Sequence, residues 1–421
     1  MWKPELLAPA KNLDRLYVAI AYGADAVYLG GQKYGLRARA DNFTDDDLAQ
    51  SVRFAHQHNA KIYVTLNAFL HDDDFEGLGE YCQFLEAIGV DAVIVSDLGV
   101  IRRVQASSNL TIHLSTQASC LNAYAAQVWS ALGVKRLIVG RELSIAEAGQ
   151  IRQHTGIDVE MFTHGAMCMA YSGHCTISNF TAGRDSNRGG CIQSCRLPYH
   201  LPTDAAIKQS QPAELVAFMS SKDLWGISQM GEFFKHQICS LKIEGRMKSS
   251  FYVAMTCKIY RQLIDAYANG TLDAALMAQA AAELHSFPHR DYTAASLETP
   301  ADRTSVFERL HGMNTGSHHY IGQVLEITPE TAILRLFEPL KVGDRLEIVP
   351  FVGEPITWTV QHLVSILGEP IQAMRQDSVV CIPRPPALER WNAIAKLNVA
   401  RLAVDSPSLK AQSAAEAVGI V

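Results

Sequence analysis

Four cysteines in one short stretch are the residues best suited to chemistry. Cys168, Cys175, Cys191 and Cys195 lie close together in the sequence, whereas the other five of the nine cysteines are scattered singly. In a reducing compartment such a cluster favours metal binding over disulfides. The gaps of six, fifteen and three residues between them do not match the close cysteine pairs of most structural zinc sites.

Four thiolates that loops bring together favour an iron–sulfur cluster. Gly165, Gly173, Gly189 and Gly190 lie among the cysteines and let the backbone bend tightly around inorganic sulfur. Structural zinc and an ordinary set of buried thiols are the alternatives. Cys239 is the main alternative ligand.

Three side chains near the cysteines are candidate catalytic residues. His164 and Glu160 are candidates for proton exchange or for support of the metal site, and Tyr171 for stacking on a nucleobase. A core position is the alternative for Tyr171. A Cys/His protease would pair Cys168 with His164 or His174, but a thiolate that binds a metal is not free to attack a carbonyl. No H-E-x-x-H or G-x-S-x-G motif occurs, which argues against the common zinc-protease and serine-hydrolase arrangements.

Basic side chains near the cysteines and after the predicted strands indicate a surface for an anionic partner. The chain has 37 basic and 43 acidic residues, a net charge of −6, so such a partner must meet a local cationic surface. Arginine pairs bidentately with carboxylate or phosphate. Internal pairing with Glu160, Glu244 or Asp185 is the alternative. The predicted substrate-binding residues are Arg37, Arg39, Arg184, Arg188, Lys242 and Arg246.

The first 250 residues repeat a short apolar stretch followed by an amphipathic helical pattern. Near-continuous apolar runs are typical of parallel strands that are buried on both faces. Eight such units favour an α/β fold, a TIM-like (β/α)8 barrel, over an open doubly wound sheet. The predicted strands cover residues 5–8, 26–30, 61–67, 92–96, 111–116, 136–140, 159–164 and 240–244.

A barrel of this kind builds its active site from the loops at the carboxyl ends of the strands. The loop after the seventh strand is unusually long and carries the four cysteines, as expected of a loop that is functional or ordered by something bound. We therefore predict a barrel domain over residues 1–300 with a cysteine-bearing insertion at 165–236.

The pattern changes to short alternating strands after about residue 315, which predicts a small C-terminal β-barrel at 315–390 followed by a tail at 391–421. No run of about 18 apolar residues occurs, and no apolar stretch follows a basic start. We expect a cytoplasmic protein without a membrane partner.

Several motifs in the right order resemble the collagenase-like peptidase family U32. They are residues 160–178, PELLAPA at 4–10, GADAVY at 23–28 and SLKIEGRMKS at 240–249. The resemblance runs from residue 4 to about 390 and so includes the small β-barrel.

Two further motifs, NRGGC at 187–191 and SSKDL at 220–224, resemble the branch of the family that hydroxylates the wobble uridine of tRNA to 5-hydroxyuridine. That branch is similar to relatives that hydroxylate ribosomal RNA and ubiquinone precursors without oxygen. The resemblance implies tRNA as partner, prephenate as co-substrate and a four-iron four-sulfur (4Fe-4S) cluster on the four clustered cysteines.

The fourth cluster ligand is left open between Cys195 and Cys239. Many relatives have cysteine where this chain has Trp225, and some draw their fourth ligand from downstream. Two other functions also stay open. One is a collagenase-like endopeptidase, and the other is a non-catalytic, metal-stabilised RNA-binding subunit that acts with a paired relative.

Overall fold

A computed structural model describes residues 2–36, 42–201, 214–307, 314 and 316–397. The chain divides into two compact units. The first runs from Met1 to Ala281 and from Arg290 to Met313, and the second comprises Ala282–His289 and Asn314–Val421.

The first unit is a closed barrel of eight parallel strands. Seven consecutive strands pair in sequence order, and the eighth, β11, pairs with both β7 and β1 to close the ring. The barrel strands are β1 (Glu5–Pro9), β2 (Ala26–Leu29), β3 (Lys61–Leu66), β4 (Ala92–Val95), β5 (Ile112–Leu114), β6 (Arg136–Ile138), β7 (Asp158–Ala166) and β11 (Ser240–Ile243). The predicted TIM-like barrel is confirmed.

Helices alternate with the barrel strands. Their sequences carry the expected end signals: Thr44 forms a capping box with Asp47, and the longest helix begins after Ser249 and ends at Gly270 in the left-handed conformation. The helices of the described residues are α1 (Leu13–Ala21), α2 (Asp45–Gln57), α3 (Leu78–Ala87), α4 (Leu98–Ser107), α5 (Ala123–Ala131), α6 (Ile145–Thr155), α7 (Ile177–Ala182), α8 (Met230–Lys235), α9 (Ser250–Asn269) and α10 (Ala274–His285).

Strand β7 extends beyond the barrel, and additional short strands pair with this extension or with each other. The short strand β10 (Asp223–Trp225) pairs antiparallel with its final residues, and β12 (Tyr292–Thr293) pairs parallel with β10. The strands β8 (Tyr199–Leu201) and β9 (Glu214–Val216) form a separate hairpin. The cysteine insertion therefore leaves the barrel from an extended strand that β10 holds in place.

The second unit is a curled antiparallel sheet of eight strands with a two-stranded pair beside it. Its core includes Val324, Leu334, Ile348, Val380 and Ile394. The strands are β13 (His318–Ile327), β14 (Thr331–Leu336), β15 (Leu340–Lys341), β16 (Arg345–Val349), β17 (Ile356–Thr359), β18 (Leu363–Val364), β19 (Pro370–Ile371), β20 (Ala373–Met374), β21 (Val379–Pro383) and β22 (Ala393–Leu397).

Strand β22 corrects the predicted start of the tail at residue 391. It pairs with both β13 and β16, so it is an interior strand of the sheet. Residues 398–421 of the predicted tail lie outside the described residues. Among the helices that are described, none combines the length and apolar character needed to cross a bilayer.

Candidate functional site

The four clustered cysteines lie on the insertion that follows β7. Cys168 is exposed and the other three are partly buried. Burial raises the pKa of the Cys195 thiol, the Arg196 guanidinium opposes this shift, and the thiols of Cys168, Cys191 and Cys175 raise the pKa further. The four thiols therefore lie in one region of the insertion, where the charge of each affects Cys195.

Hydrogen bonds hold the cysteine insertion in one compact form. Arg196 donates to the carbonyl of Met167 at 2.7 Å and to the carbonyl of Ser221. The Ser221 hydroxyl donates to the same Met167 carbonyl at 2.8 Å. Asn187 Nδ2 donates to the Cys175 carbonyl at 3.0 Å. The chain segments that carry Cys168, Cys175 and Cys195 are thus tied to fixed backbone positions.

Gly173 is required where the insertion approaches the barrel. Its φ is +83°, and a Cβ at this position would collide with the Gln117 backbone in the loop after β5. A residue with a side chain would therefore push the Cys168–Cys175 segment away from the barrel.

The donor chemistry of the four cysteines suits an iron–sulfur cluster. Four cysteine thiolates are the donor set that such clusters use, and all four lie on the insertion that follows β7. Within the described residues, no group of three or more His, Cys, Asp or Glu side chains is arranged to hold a single metal ion. By their chemistry, the residues present fit the group.

Cys239, the alternative ligand, lies at the other end of the barrel. Its backbone amide donates to the Val159 carbonyl near the start of β7, about 20 Å from the end of that strand at 3.3 Å per residue. Burial raises the pKa of Cys239 to about 12, and its charged neighbours are Arg136, Asp158, Glu160 and Glu5. The four cysteines follow the opposite end of β7, so Cys195 is the better placed ligand.

Glu160 and Lys242 form an ion pair inside the barrel. Lys242 Nζ lies 2.9 Å from Glu160 Oε1, and Arg136 Nη1 lies 3.2 Å from Glu160 Oε2. Glu5 accepts a second contact from Arg136 at 2.6 Å. Burial lowers the pKa of Lys242, whereas Glu160 raises it. Both predicted site residues are therefore paired internally, the alternative considered above, and neither side chain reaches solvent.

His164 is buried among aromatic rings. Its Nδ1 lies 3.3 Å from the Tyr260 hydroxyl, and the rings of Tyr252 and Tyr292 lie 5.9 and 5.4 Å away. His164 faces Trp225 across the β7–β10 pairing. Its position favours support of the strand that leads to the cysteines, and its roles in proton exchange or in support of the metal site stay predictions.

The predicted cationic residues lie in different surroundings. Arg188 Nη1 donates to the Phe69 carbonyl at 2.7 Å and to Asp74 Oδ2 at 2.8 Å. Buried Arg246 donates to Asn42 at 2.9 Å. Arg184 is partly exposed and makes no ion pair with any residue that the structure describes. Arg37 and Arg39 lie outside the described residues.

A cavity of about 330 Å³ opens beside the insertion, after the carboxyl ends of β2 and β3. This volume is in the usual range for small-molecule sites. Its walls carry charges of both signs, and Arg188 links it to the cysteine insertion. The lining includes Lys33, Tyr34, Phe69, Asp73, Asp74 and Arg188.

The family is decided by comparison with known proteins. The family model of Peptidase family U32 matches residues 11–305. This chain belongs to peptidase family U32. Among its U32 relatives, tRNA hydroxylation protein P1 of Bacillus subtilis is 41% identical, over 89% of this chain and 90% of the relative. The resemblance stated from the motifs is therefore confirmed.

Two U32 relatives come from Escherichia coli. tRNA hydroxylation protein P is 33% identical, over 92% of this chain and 95% of the relative. A 23S rRNA 5-hydroxycytidine synthase is 35% identical, over 82% of this chain and 52% of the relative.

Sequence reasoning missed one buried pair of this U32 chain. Lys248 Nζ lies 3.2 Å from Asp223 Oδ2, and the Asp223 carboxylate is almost fully buried. Arg290 donates to the Ser220 hydroxyl at 3.0 Å in the same region. Both partners of the ion pair belong to motifs that were noticed, SSKDL and SLKIEGRMKS, but their proximity depends on the β7–β10 pairing.

Proposed function

We propose that this chain hydroxylates the wobble uridine of tRNA to 5-hydroxyuridine with a 4Fe-4S cluster and with prephenate as co-substrate. The observation that carries the proposal is that four cysteines lie on the insertion that leaves the carboxyl-end face of the barrel after β7. The relatives named for tRNA and rRNA hydroxylation support the substrate class.

Cys168, Cys175, Cys191 and Cys195 would hold the cluster, which when bound supplies electron transfer or Lewis acidity next to the substrate. The residues around them have supporting tasks. Arg196 fixes the backbone on either side of the insertion through the Met167 and Ser221 carbonyls.

The cavity beside the insertion is our candidate site for the co-substrate. Arg188 and Lys33 would supply positive charge for the carboxylates of prephenate, against the negative charge of Asp73, Asp74 and Glu76 in the same lining. Asp74 Oδ2 lies 2.8 Å from Arg188 Nη1. A carboxylate of the co-substrate would therefore compete with Asp74 for this guanidinium. The target uridine must leave its stack to reach any group at this face, since an enzyme acts on an extruded base.

A collagenase-like activity has less support from the site. None of the four clustered thiols hydrogen-bonds a histidine in the described structure. His164, the first candidate partner of Cys168, is enclosed by aromatic rings. A thiol–imidazole pair within hydrogen-bond reach is the usual geometry of a cysteine protease.

The proposal is tested in a strain that lacks its own wobble-uridine hydroxylation genes. Expression of the wild-type chain should restore 5-hydroxyuridine in digested tRNA, as measured by mass spectrometry. Cys168→Ser should not restore it. Cys257→Ser, which alters a buried cysteine on α9, is the matched control and should restore it. No 5-hydroxyuridine with the wild-type chain would refute the proposal.

A further inference from the structure

Large apolar side chains are concentrated on the cysteine insertion. Fourteen such side chains are exposed in the described parts of the chain, and six belong to the insertion. Single exposed apolar residues are ordinary, whereas a concentration of them marks an interaction surface. The six are Met169, Tyr171, Phe180, Leu197, Leu215 and Phe218.

Phe180 lies between Cys175 and Cys191 in the sequence and points into solvent. Its side chain is 88% exposed on α7. Ser194 Oγ lies 2.6 Å from Thr181 Oγ1 and 3.4 Å from Ser178 Oγ. Helix α7 therefore packs against the turn that carries Cys195.

Tyr171 is exposed on the same insertion. It lies between Cys168 and Cys175, and 53% of its surface is accessible. The core position considered for it is therefore wrong, and its ring is available to a partner.

The charge of the chain around Phe180 and Tyr171 indicates which partner covers these rings. Residues 165–201 contain three arginines and one acidic residue, whereas the whole insertion at 165–236 contains six basic and five acidic residues. Arg184 follows α7 and makes no ion pair with any described residue. Arg196 donates to backbone carbonyls alone among the bonds described. Arg188 is paired with Asp74, so Arg184 is the arginine best placed to meet an anion. Exposed aromatic rings together with such an arginine suit nucleobases and phosphates.

We propose that Phe180, Tyr171 and Arg184 form a stacking surface for the unpaired bases of an RNA loop. The aromatic rings would stack on bases that flank the target, and Arg184 would contact the adjacent phosphates. This inference rests on the proposed function, because it assigns the part of the insertion that receives the RNA. It adds a binding role for Phe180 and Tyr171 that involves no reacting atom.

The test compares Phe180→Ala with wild type in binding an anticodon stem-loop RNA that has uridine at the wobble position. Loss of one aromatic stack should weaken binding by about 5- to 100-fold. Phe180→Tyr should bind as wild type, and a blunt RNA duplex of the same length should bind both proteins equally. Because Phe180 is so exposed, its replacement should leave the unfolding midpoint unchanged.

Tyr124→Ala is the matched control, because Tyr124 is 83% exposed on α5, outside the insertion. Equal stem-loop affinity of Phe180→Ala and wild type would overturn the inference, and so would an equal loss in Tyr124→Ala. Loss of a co-purifying protein from Phe180→Ala, with RNA affinity retained, would overturn it in favour of a protein partner.

The same proteins separate this inference from the proposed function. If wild type restores no 5-hydroxyuridine and stem-loop binding still depends on Phe180, the RNA surface stands and the hydroxylase proposal fails. If wild type restores the nucleoside and Phe180→Ala binds RNA normally, the stacking surface alone is wrong.

Discussion

Lys242 Nζ lies 2.9 Å from Glu160 Oε1 inside the barrel, and the two side chains are 4% and 0% exposed. The ammonium also lies 4.3 Å from the centre of the Tyr28 ring. Arg136 contacts both the Glu160 and the Glu5 carboxylates, so two cations and two anions are held together by β1, β6, β7 and β11. This pairing assigns Glu160 a structural role below the loops that carry the candidate site.

Glu160→Gln should destabilise the protein by about 3–5 kcal/mol, because it leaves Lys242 buried without its counter-charge. The double variant Glu160→Gln with Lys242→Met should regain much of that loss. Chemical denaturation of the three proteins measures both effects. Unchanged stability of Glu160→Gln together with lost hydroxylation would instead indicate a catalytic role for Glu160.

His113 should make stability depend on pH. It is buried on β5, where its ring packs edge-on against Tyr63 at 4.8 Å, and burial followed by Arg136 lowers its pKa well below the usual 6.5. Below pH 6.5 the unfolded chain therefore binds a proton that the folded chain does not. The free energy of unfolding has its full value above pH 6.5 and decreases as the pH falls below 6.5. The slope for one proton is at most about 1.4 kcal/mol per pH unit.

Replacing the imidazole with a non-titrating ring separates the contribution of His113 to the pH dependence of stability from that of the carboxylates. His113→Phe should lose less stability than wild type between pH 7 and pH 5.5, as measured by urea denaturation at each pH. Identical losses in the two proteins would show that His113 does not titrate in this range.

The Asp74–Arg188 pair should anchor the loop that carries Cys191. The hydrogen bond from Arg188 lowers the pKa of Asp74, so the pair is fully formed above the ordinary carboxyl pKa and is lost as pH falls through the lowered value. Asp74→Asn should weaken the anchor by up to about 1 kcal/mol, as for other partly exposed pairs. Hydrogen exchange of amides 187–190 should then quicken by up to about fivefold at neutral pH.

The matched control for that anchor is Lys235→Gln, which removes the exposed Lys235–Glu232 pair on α8. It should leave exchange at residues 187–190 unchanged. Equal exchange in Asp74→Asn and wild type would show that the pair does not hold the loop.

Serine substitutions should distinguish the cluster ligands from Cys239. Cys168→Ser, Cys175→Ser, Cys191→Ser and Cys195→Ser should each lose most of the iron and sulfide found after anaerobic purification. Cys239→Ser should keep both, because Cys239 lies near the start of β11, away from the four thiols. Loss of iron in Cys239→Ser with iron retained in Cys195→Ser would reverse the assignment.

The barrel could be predicted because its strands are buried on both faces and therefore read as apolar runs, such as Val93 to Val95 in β4. Strands β10 and β12 gave no such signal, since they are three and two residues long and pair only with the extension of β7 or with each other. Strand β22 falls in the region predicted as tail, because five residues are too few for an alternating pattern to indicate a strand.

The cysteine group could also be predicted, because its members are near in sequence. The internal pairing of Glu160 with Lys242 could not be predicted, since it depends on the register between β7 and β11. Ser240 aligns with Glu160, and Lys242 lies two residues further, on the same face of the sheet by the period of two. That register sets both charges toward the barrel interior.

The most direct test of the central claim is a reaction of the purified chain, reconstituted anaerobically with iron and sulfide. It is incubated with an unmodified tRNA transcript that has uridine at the wobble position, with and without prephenate. The account predicts 5-hydroxyuridine in the digested tRNA when prephenate is present, and none with Cys168→Ser. A protein that holds its iron and binds the tRNA but forms no 5-hydroxyuridine would contradict it.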